Sequence, residues 1–222
     1  MLPLSLSGVR EVALLGAHCD DLAIGMGGTL AALAEADVTV RALVLTGAGT
    51  PREDEERAAL EALVPGADVT VLGLPDGRTP AHYDEVKDAV RDLARRSEAQ
   101  VVFAPHRKDA HQDHRLLAEV TPTEFRDHLV LGYEILKWET DTPQPTVFWP
   151  LTDVQAQRKI DVLMSAYPSQ LAHDWYTEDA FRALLRLRGV NSRATHSEAF
   201  VLEKAVLDLG LPAGGSSREG NA

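Results

Sequence analysis

Apolar runs and amphipathic stretches alternate through the first two thirds of the chain. Segments 9–17 (VREVALLGA), 38–47 (VTVRALVLTG), 68–75 (DVTVLGLP) and 99–106 (AQVVFAPH) are short, rich in valine and leucine, and almost unbroken in apolar character. Such runs predict strands buried on both faces. Between them, 27–36 (GGTLAALAEA), 51–63 (PREDEERAALEAL) and 83–97 (YDEVKDAVRDLARRS) place apolar residues at three- and four-residue intervals. That spacing is the period of an amphipathic helix. The alternation predicts an α/β fold, a Rossmann-like parallel sheet flanked by helices.

The pattern changes further on. Segments 129–138 and 146–151 predict later strands separated by a polar loop, 152–167 and 178–189 predict helices, and 197–205 a last strand. Together they form a C-terminal strand/helix extension. Neither an internal repeat nor a linker divides residues 1–210, which read as one domain. The remainder, 211–222 (LPAGGSSREGNA), is poor in apolar residues and reads as a disordered tail. Gly25, Gly27 and Gly28 do not make the G-x-G-x-x-G dinucleotide fingerprint, and close helix–strand packing is the expected use of these glycines.

Composition narrows the classes of function. The formal charge of −12 argues against nucleic acid or an anionic membrane as the main partner, because both would be repelled. No stretch reaches the roughly 20 apolar residues of a membrane span. The N-terminus lacks the basic start and apolar core of a secretory signal, and the single cysteine suits a reducing compartment. The expected location is cytoplasmic. The oligomeric state stays open, a homo-oligomer being one reading.

In an open α/β sheet, ligands bind beyond the carboxyl ends of the strands. His18, Asp20 and Asp21 lie just past the first strand, and the cluster APHRKDAHQDH (104–114) lies just past the fourth. Parallel strands put both loops on one edge, where two histidines and a carboxylate would suit a catalytic zinc with one position left for water. The metal would bring that water's pKa towards about 7. Further carboxylates and histidines in the two clusters are candidates for proton transfer and charge stabilisation. Arg57 and Asp76 follow the second and third strands and could face the same edge; a surface ion pair and a turn role are the alternatives. Arg186, Arg188 and Arg193 form a local basic cluster near the C-terminus, suited to an anionic ligand group or to ordinary ion pairs. Trp138, Trp149 and Trp175 could stack on a sugar ring or pack in the core.

The stretch AHCDDLAIGMGGTL (17–30) resembles the opening A-H-P-D-D-E-x-x-x-G-G-T motif of the PIG-L/LmbE family of zinc-dependent N-deacetylases, and HQDH (111–114) resembles its H-x-D-H motif. Further echoes are TGAG around 47–49, Arg57 with Glu61, LGLPDG (72–77), YPSQ (167–170) and SEAF (197–200). The resemblance implies zinc held by His18, Asp21 and His114. It implies Asp20 as general base, and His111 as oxyanion stabiliser or proton donor, with Asp113 orienting or charging it. Arg57 and Asp76 are the implied contacts to sugar hydroxyls, and Arg193, from the basic cluster, is a further candidate substrate contact. The implied reaction is removal of the acetyl group from an N-acetylglucosamine-type amino sugar or its conjugate, in sugar, polysaccharide or natural-product biosynthesis. Hydrolysis of another small N-acyl amide, or non-catalytic nucleotide or sugar binding, are the alternatives. Two positions depart from the family pattern: Cys19 replaces proline, and Leu22 replaces the glutamate after the paired aspartates. Cys19 is expected to pack rather than to bind metal, and any bracing by that glutamate must come from elsewhere.

Overall fold

A computed structural model describes residues 4–206. The disordered tail expected for 211–222 lies outside the described residues. Four strands form close to the predicted positions: β1 (Glu11–Gly16), β2 (Thr39–Thr46), β3 (Asp68–Leu74) and β4 (Val101–Pro105). They are joined by α1 (Asp21–Glu35), α2 (Pro51–Leu63) and α3 (Tyr83–Arg96), with a short 3-10 turn at Thr79–His82. Then follow α4 (Gln112–Glu124), β5 (Leu129–Tyr133), β6 (Val147–Leu151), α5 (Asp153–Ala166), α6 (Glu178–Ser192) and β7 (His196–Lys204).

The strands make one sheet in the order β3-β2-β1-β4-β5-β7-β6. The first five run parallel, while β7 is antiparallel to both of its neighbours. Alternate residues of a central strand enter opposite cores. Val12 and Leu14 pack with α1, α2, α5 and α6; Ala13 and Leu15 pack with α3 and α4. Burial on both faces is why these strands read as continuous apolar runs rather than alternating ones. No helix among the described residues is long and apolar enough to cross a membrane.

Three elements differ from the sequence expectation. The strand expected over 129–138 stops at Tyr133. Glu134 then turns into a buried ion pair with Arg188, at 2.6 Å, and the rest of the segment becomes a loop. Helix α4 is absent from the predicted elements: it opens within the second polar cluster, at Gln112, and buries His114, Leu116, Leu117 and Val120. Lastly, α1 starts six residues earlier than 27–36 and breaks at Met26, whose φ is −150°. The glycines sit at this break because nothing larger fits. A Cβ on Gly25 would lie 2.4 Å from the Tyr133 ring, and one on Gly28 would lie 2.4 Å from Leu151.

Candidate active site

Strand β1 has β2 on one side and β4 on the other, so the connections leaving β1 and β4 part at the switch point of the sheet. Residues 18–21 follow β1 and residues 106–114 follow β4. Together they line a cavity of about 710 Å³ that includes His18, Asp20, Asp21, Asp76, His111 and His114.

At its floor His18 Nδ1 and His114 Nε2 are 3.0 Å apart. Asp21 Oδ2 lies 3.3 Å from His114 Nε2 and 3.7 Å from His18 Nδ1. The same oxygen accepts the backbone N–H groups of Ala17 and His18, which fixes the carboxylate at the helix start. The other nitrogen of each imidazole is also met by carboxylates. His18 Nε2 lies 3.2 Å from Asp113 and 3.1 Å from Asp76, and His114 Nδ1 lies 3.0 Å from Asp109. Burial alone would lower both imidazole pKa values, yet these carboxylates raise His18 to about 12 and His114 to about 9. For Asp21, burial opposes ionisation, but His114 and His18 hold its pKa well below the ordinary value.

This donor set fits a divalent cation. Tetrahedral zinc with ligand bonds of about 2.0–2.1 Å has ligand–ligand edges of about 3.3 Å, close to the separations of 3.0, 3.3 and 3.7 Å seen here. The ring nitrogens of His18, His111 and His114 also lie within 4.8 Å of one another, so His111 is a geometric alternative to Asp21 as third ligand. Four carboxylates around two imidazoles leave an excess of negative charge that a cation would balance. A separate group, His106, Asp109 and Asp141, is also close enough to hold a metal. There the Lys137 ammonium already lies 3.0 Å from Asp109 and 2.6 Å from Asp141.

Asp20 occupies a left-handed backbone conformation, φ 119°, which for a non-glycine residue costs on the order of 1–3 kcal/mol. Two contacts hold it. Its N–H donates to Glu56 Oε2 at 2.8 Å, and its Oδ2 lies 2.9 Å from an Arg52 guanidinium nitrogen. Arg52 also donates to the Cys19 carbonyl. Burial raises the Asp20 carboxyl to about 7, against the pull of Arg52. His111 caps α4: its Nδ1 accepts the Asp113 N–H at 3.3 Å. Burial, and then the neighbouring His18 and His114, lower its pKa.

Not every expected site residue comes to this cavity. Asp113 is fully buried behind it, and its carboxylate accepts the N–H groups of Gly77 and Thr79 as well as facing His18. Its backbone amide, rather than its carboxylate, bonds His111. Asp76 is on the exposed rim. Arg57 turns away, paired with Glu53 at 2.8 Å and donating to the Val69 carbonyl, and it does not line the cavity. Arg193 ends α6 in a left-handed conformation and also lies outside the lining. The rest of its basic cluster is used internally, Arg188 on Glu134 and Arg186 on the carbonyls of Ala194 and Thr195. Trp138 and Trp175 line the site, whereas Trp149 lines a separate apolar groove. Cys19 is buried, with its thiol against the Thr46 carbonyl.

Four contributors escaped the sequence reading: Arg52, Glu56, Asp109 and Lys137. Arg52 had a signal, since it stands in the first turn after the Thr50 cap and Pro51, close to the end of β2. Arg57, five residues on, points about 140° around the helix from it. Glu56 supplies a carboxylate to the Asp20 backbone where Leu22 has none; its Oε2 also accepts the Tyr167 hydroxyl at 2.6 Å. No local pattern marks it, because its partners are 36 and 111 residues away.

Comparison with known proteins identifies the family of the chain. The PIG-L family profile, described as GlcNAc-PI de-N-acetylase, matches residues 13–123, half of the chain. The "Uncharacterized deacetylase YaiS" of Escherichia coli (strain K12) is 31% identical over 149 residues, covering 61% of this chain and 80% of that protein. The chain belongs to the PIG-L family, and deacetylation is the class of activity that this membership carries. Among solved structures, the N,N′-diacetylchitobiose deacetylase from Pyrococcus horikoshii is similar with a TM-score of 0.69 at 20% identity, over 89% of this chain and 86% of that one. GalB, the 4-carboxy-2-hydroxymuconate hydratase from Pseudomonas putida KT2440, is similar with a TM-score of 0.75 at 18% identity, over 91% and 100%. At these identities the likeness is one of fold, and a deacetylase and a hydratase share it.

Proposed function

We propose that this protein is a zinc-dependent hydrolase that removes the acetyl group from an N-acetylated amino sugar or a conjugate of one. The observation that carries the reading is the convergence of His18 Nδ1, His114 Nε2 and Asp21 Oδ2, 3.0 to 3.7 Å apart, beside Asp20 and His111 in one cavity. Zinc held by these three residues would supply a Lewis acid for the amide carbonyl and a water of lowered pKa.

The chain's own groups divide the remaining work. Asp20 accepts the proton of the attacking water, and Arg52 holds its carboxylate in place. His111 uses Nδ1 as an acceptor at the helix cap, so its neutral form carries the proton on Nε2. That tautomer is a donor, which supports a role in stabilising the oxyanion of the tetrahedral intermediate. The amine leaves only once protonated, and Asp20, having taken a proton, is the group able to return it. Asp113 holds His18 through Nε2, and Asp76 on the rim is available to sugar hydroxyls.

Metal content of the purified protein and of His114→Ala, with turnover of an N-acetylglucosamine panel, tests the reading. We expect about one zinc per chain in the wild type, lost in the variant together with acetate release. A wild type that neither contains nor takes up zinc would overturn it. Turnover of N-acyl amino acids but no sugar would keep the hydrolase and replace the substrate.

A further inference from the structure

The mouth of the cavity carries an aromatic cluster that the chemistry above does not use. Trp138, in the loop after β5, is 63% exposed, and its indole N–H donates to Asp174 Oδ1 at 2.9 Å. His173 and Trp175, between α5 and α6, pack against it with centroids at 5.4 and 6.1 Å and interplanar angles of 81° and 70°. Trp175 is backed in turn by Tyr176 and the core residue Phe181. All three rings line the same cavity as His18 and Asp20. Leaving a large ring in water forgoes burial worth on the order of 1.5–3 kcal/mol, yet the contacts hold this indole in one orientation. A fixed ring with an open face is suited to a ligand that has an apolar face of its own.

We propose that Trp138, backed by His173 and Trp175, is a stacking platform for a second pyranose ring attached to the sugar that loses its acetyl group. The substrate is then an oligosaccharide or glycoconjugate of at least two sugars; this rests on the deacetylase reading of the site. A pyranose presents C–H groups on its face and hydroxyls around its rim. Glu139 and Gln170 line the cavity around the rings and supply polar partners for such a rim, beside Lys137, whose ammonium is paired with Asp109 and Asp141. A wholly apolar substituent would match the rings and gain nothing from the Glu139 carboxylate or the Gln170 amide. The volume of about 710 Å³ also leaves room beyond a single sugar.

The test compares wild type, Trp138→Ala and Trp138→Phe in the full chain with N-acetylglucosamine and N,N′-diacetylchitobiose, by steady-state kinetics and by quenching of tryptophan fluorescence. Trp138→Ala should raise KM for the disaccharide about tenfold at unchanged kcat, with the monosaccharide KM unchanged within about twofold, and Trp138→Phe should recover most of the loss. Disaccharide-induced quenching should disappear in both variants. An equal effect on both sugars, or none, overturns the platform while leaving deacetylation standing. Trp138-dependent quenching by the disaccharide without turnover of either sugar keeps the sugar platform and overturns the reading that these sugars are deacetylated. A wild type with no preference for the disaccharide in either measurement overturns the proposal.

Discussion

The ammonium of Lys159 lies 2.7 Å from Glu198 Oε1 and 2.6 Å from the Ile24 carbonyl, inside the break that divides α1 at Met26. Glu198 in turn accepts the N–H groups of Gly28 and Thr29 and the Thr29 hydroxyl, at 2.6 to 2.9 Å. A break in a helix leaves carbonyls on one side and N–H groups on the other without partners. One ion pair, from α5 and β7, satisfies both. The short helical piece before the break is thereby fixed at its far end, and that piece begins with Asp21. Its near end is held by Asp20 and the contacts of Arg52 and Glu56.

Both members of the pair are almost fully buried, at 4% and 2% exposure. Removing one leaves the other charged and alone, so Glu198→Gln and Lys159→Met should each destabilise the protein by about 3–5 kcal/mol. Urea denaturation at neutral pH measures this. A double replacement that restores part of the loss would show that the isolated charge, rather than lost packing, is responsible.

Replacement of Asp20 by Asn keeps the size of the side chain and removes the proton acceptor. The expected outcome is a fall in kcat of about 10²- to 10⁴-fold with metal content unchanged. Acetate release and elemental analysis on the same preparation check both halves.

Asp109 is buried between His114 Nδ1 and Lys137. A carboxylate in that position fixes the tautomer and orientation of a ligating imidazole. Asp109→Ala should weaken metal binding about 10- to 100-fold, read by competition with a chromogenic chelator. Full affinity in the variant would show that His114 needs no such support.

Glu56 gives a pH dependence with a definite sign. Burial raises its pKa from 4.5 to about 8, with the Tyr167 hydroxyl opposing the shift. Between those values the folded chain holds a proton there that the unfolded chain has lost, so this group's contribution to stability is full below about 4.5 and declines as pH rises to about 8. The stability of wild type minus that of Glu56→Gln should therefore fall across this window. Denaturant melts of both proteins at several pH values give the difference directly, and a flat difference would refute the shift.

Much of the fold was legible along the chain because its causes are local. The apolar runs of β1 to β4 have both faces buried, and α2 carries its own stop and start signals, so its predicted and observed bounds coincide at 51–63. The two polar clusters were visible as interruptions at strand ends, and each had to face the carboxyl edge of a parallel sheet. The sequence by itself thus determined the class of fold, the loops that carry the chemistry, and the residue types in them.

Tertiary structure decided how those residues meet. Only the placement of β4 beside β1 brings His18 within 3.0 Å of His114, 96 residues away. The choice of Arg52 over Arg57, the use of Asp113 on His18 rather than by its carboxylate on His111, and the filling of the α1 break by Lys159 and Glu198 all depend on side-chain direction and on distant partners. Local patterns record which face of an element is buried, whereas the partner of a buried charge is set by whichever element the packing brings against it.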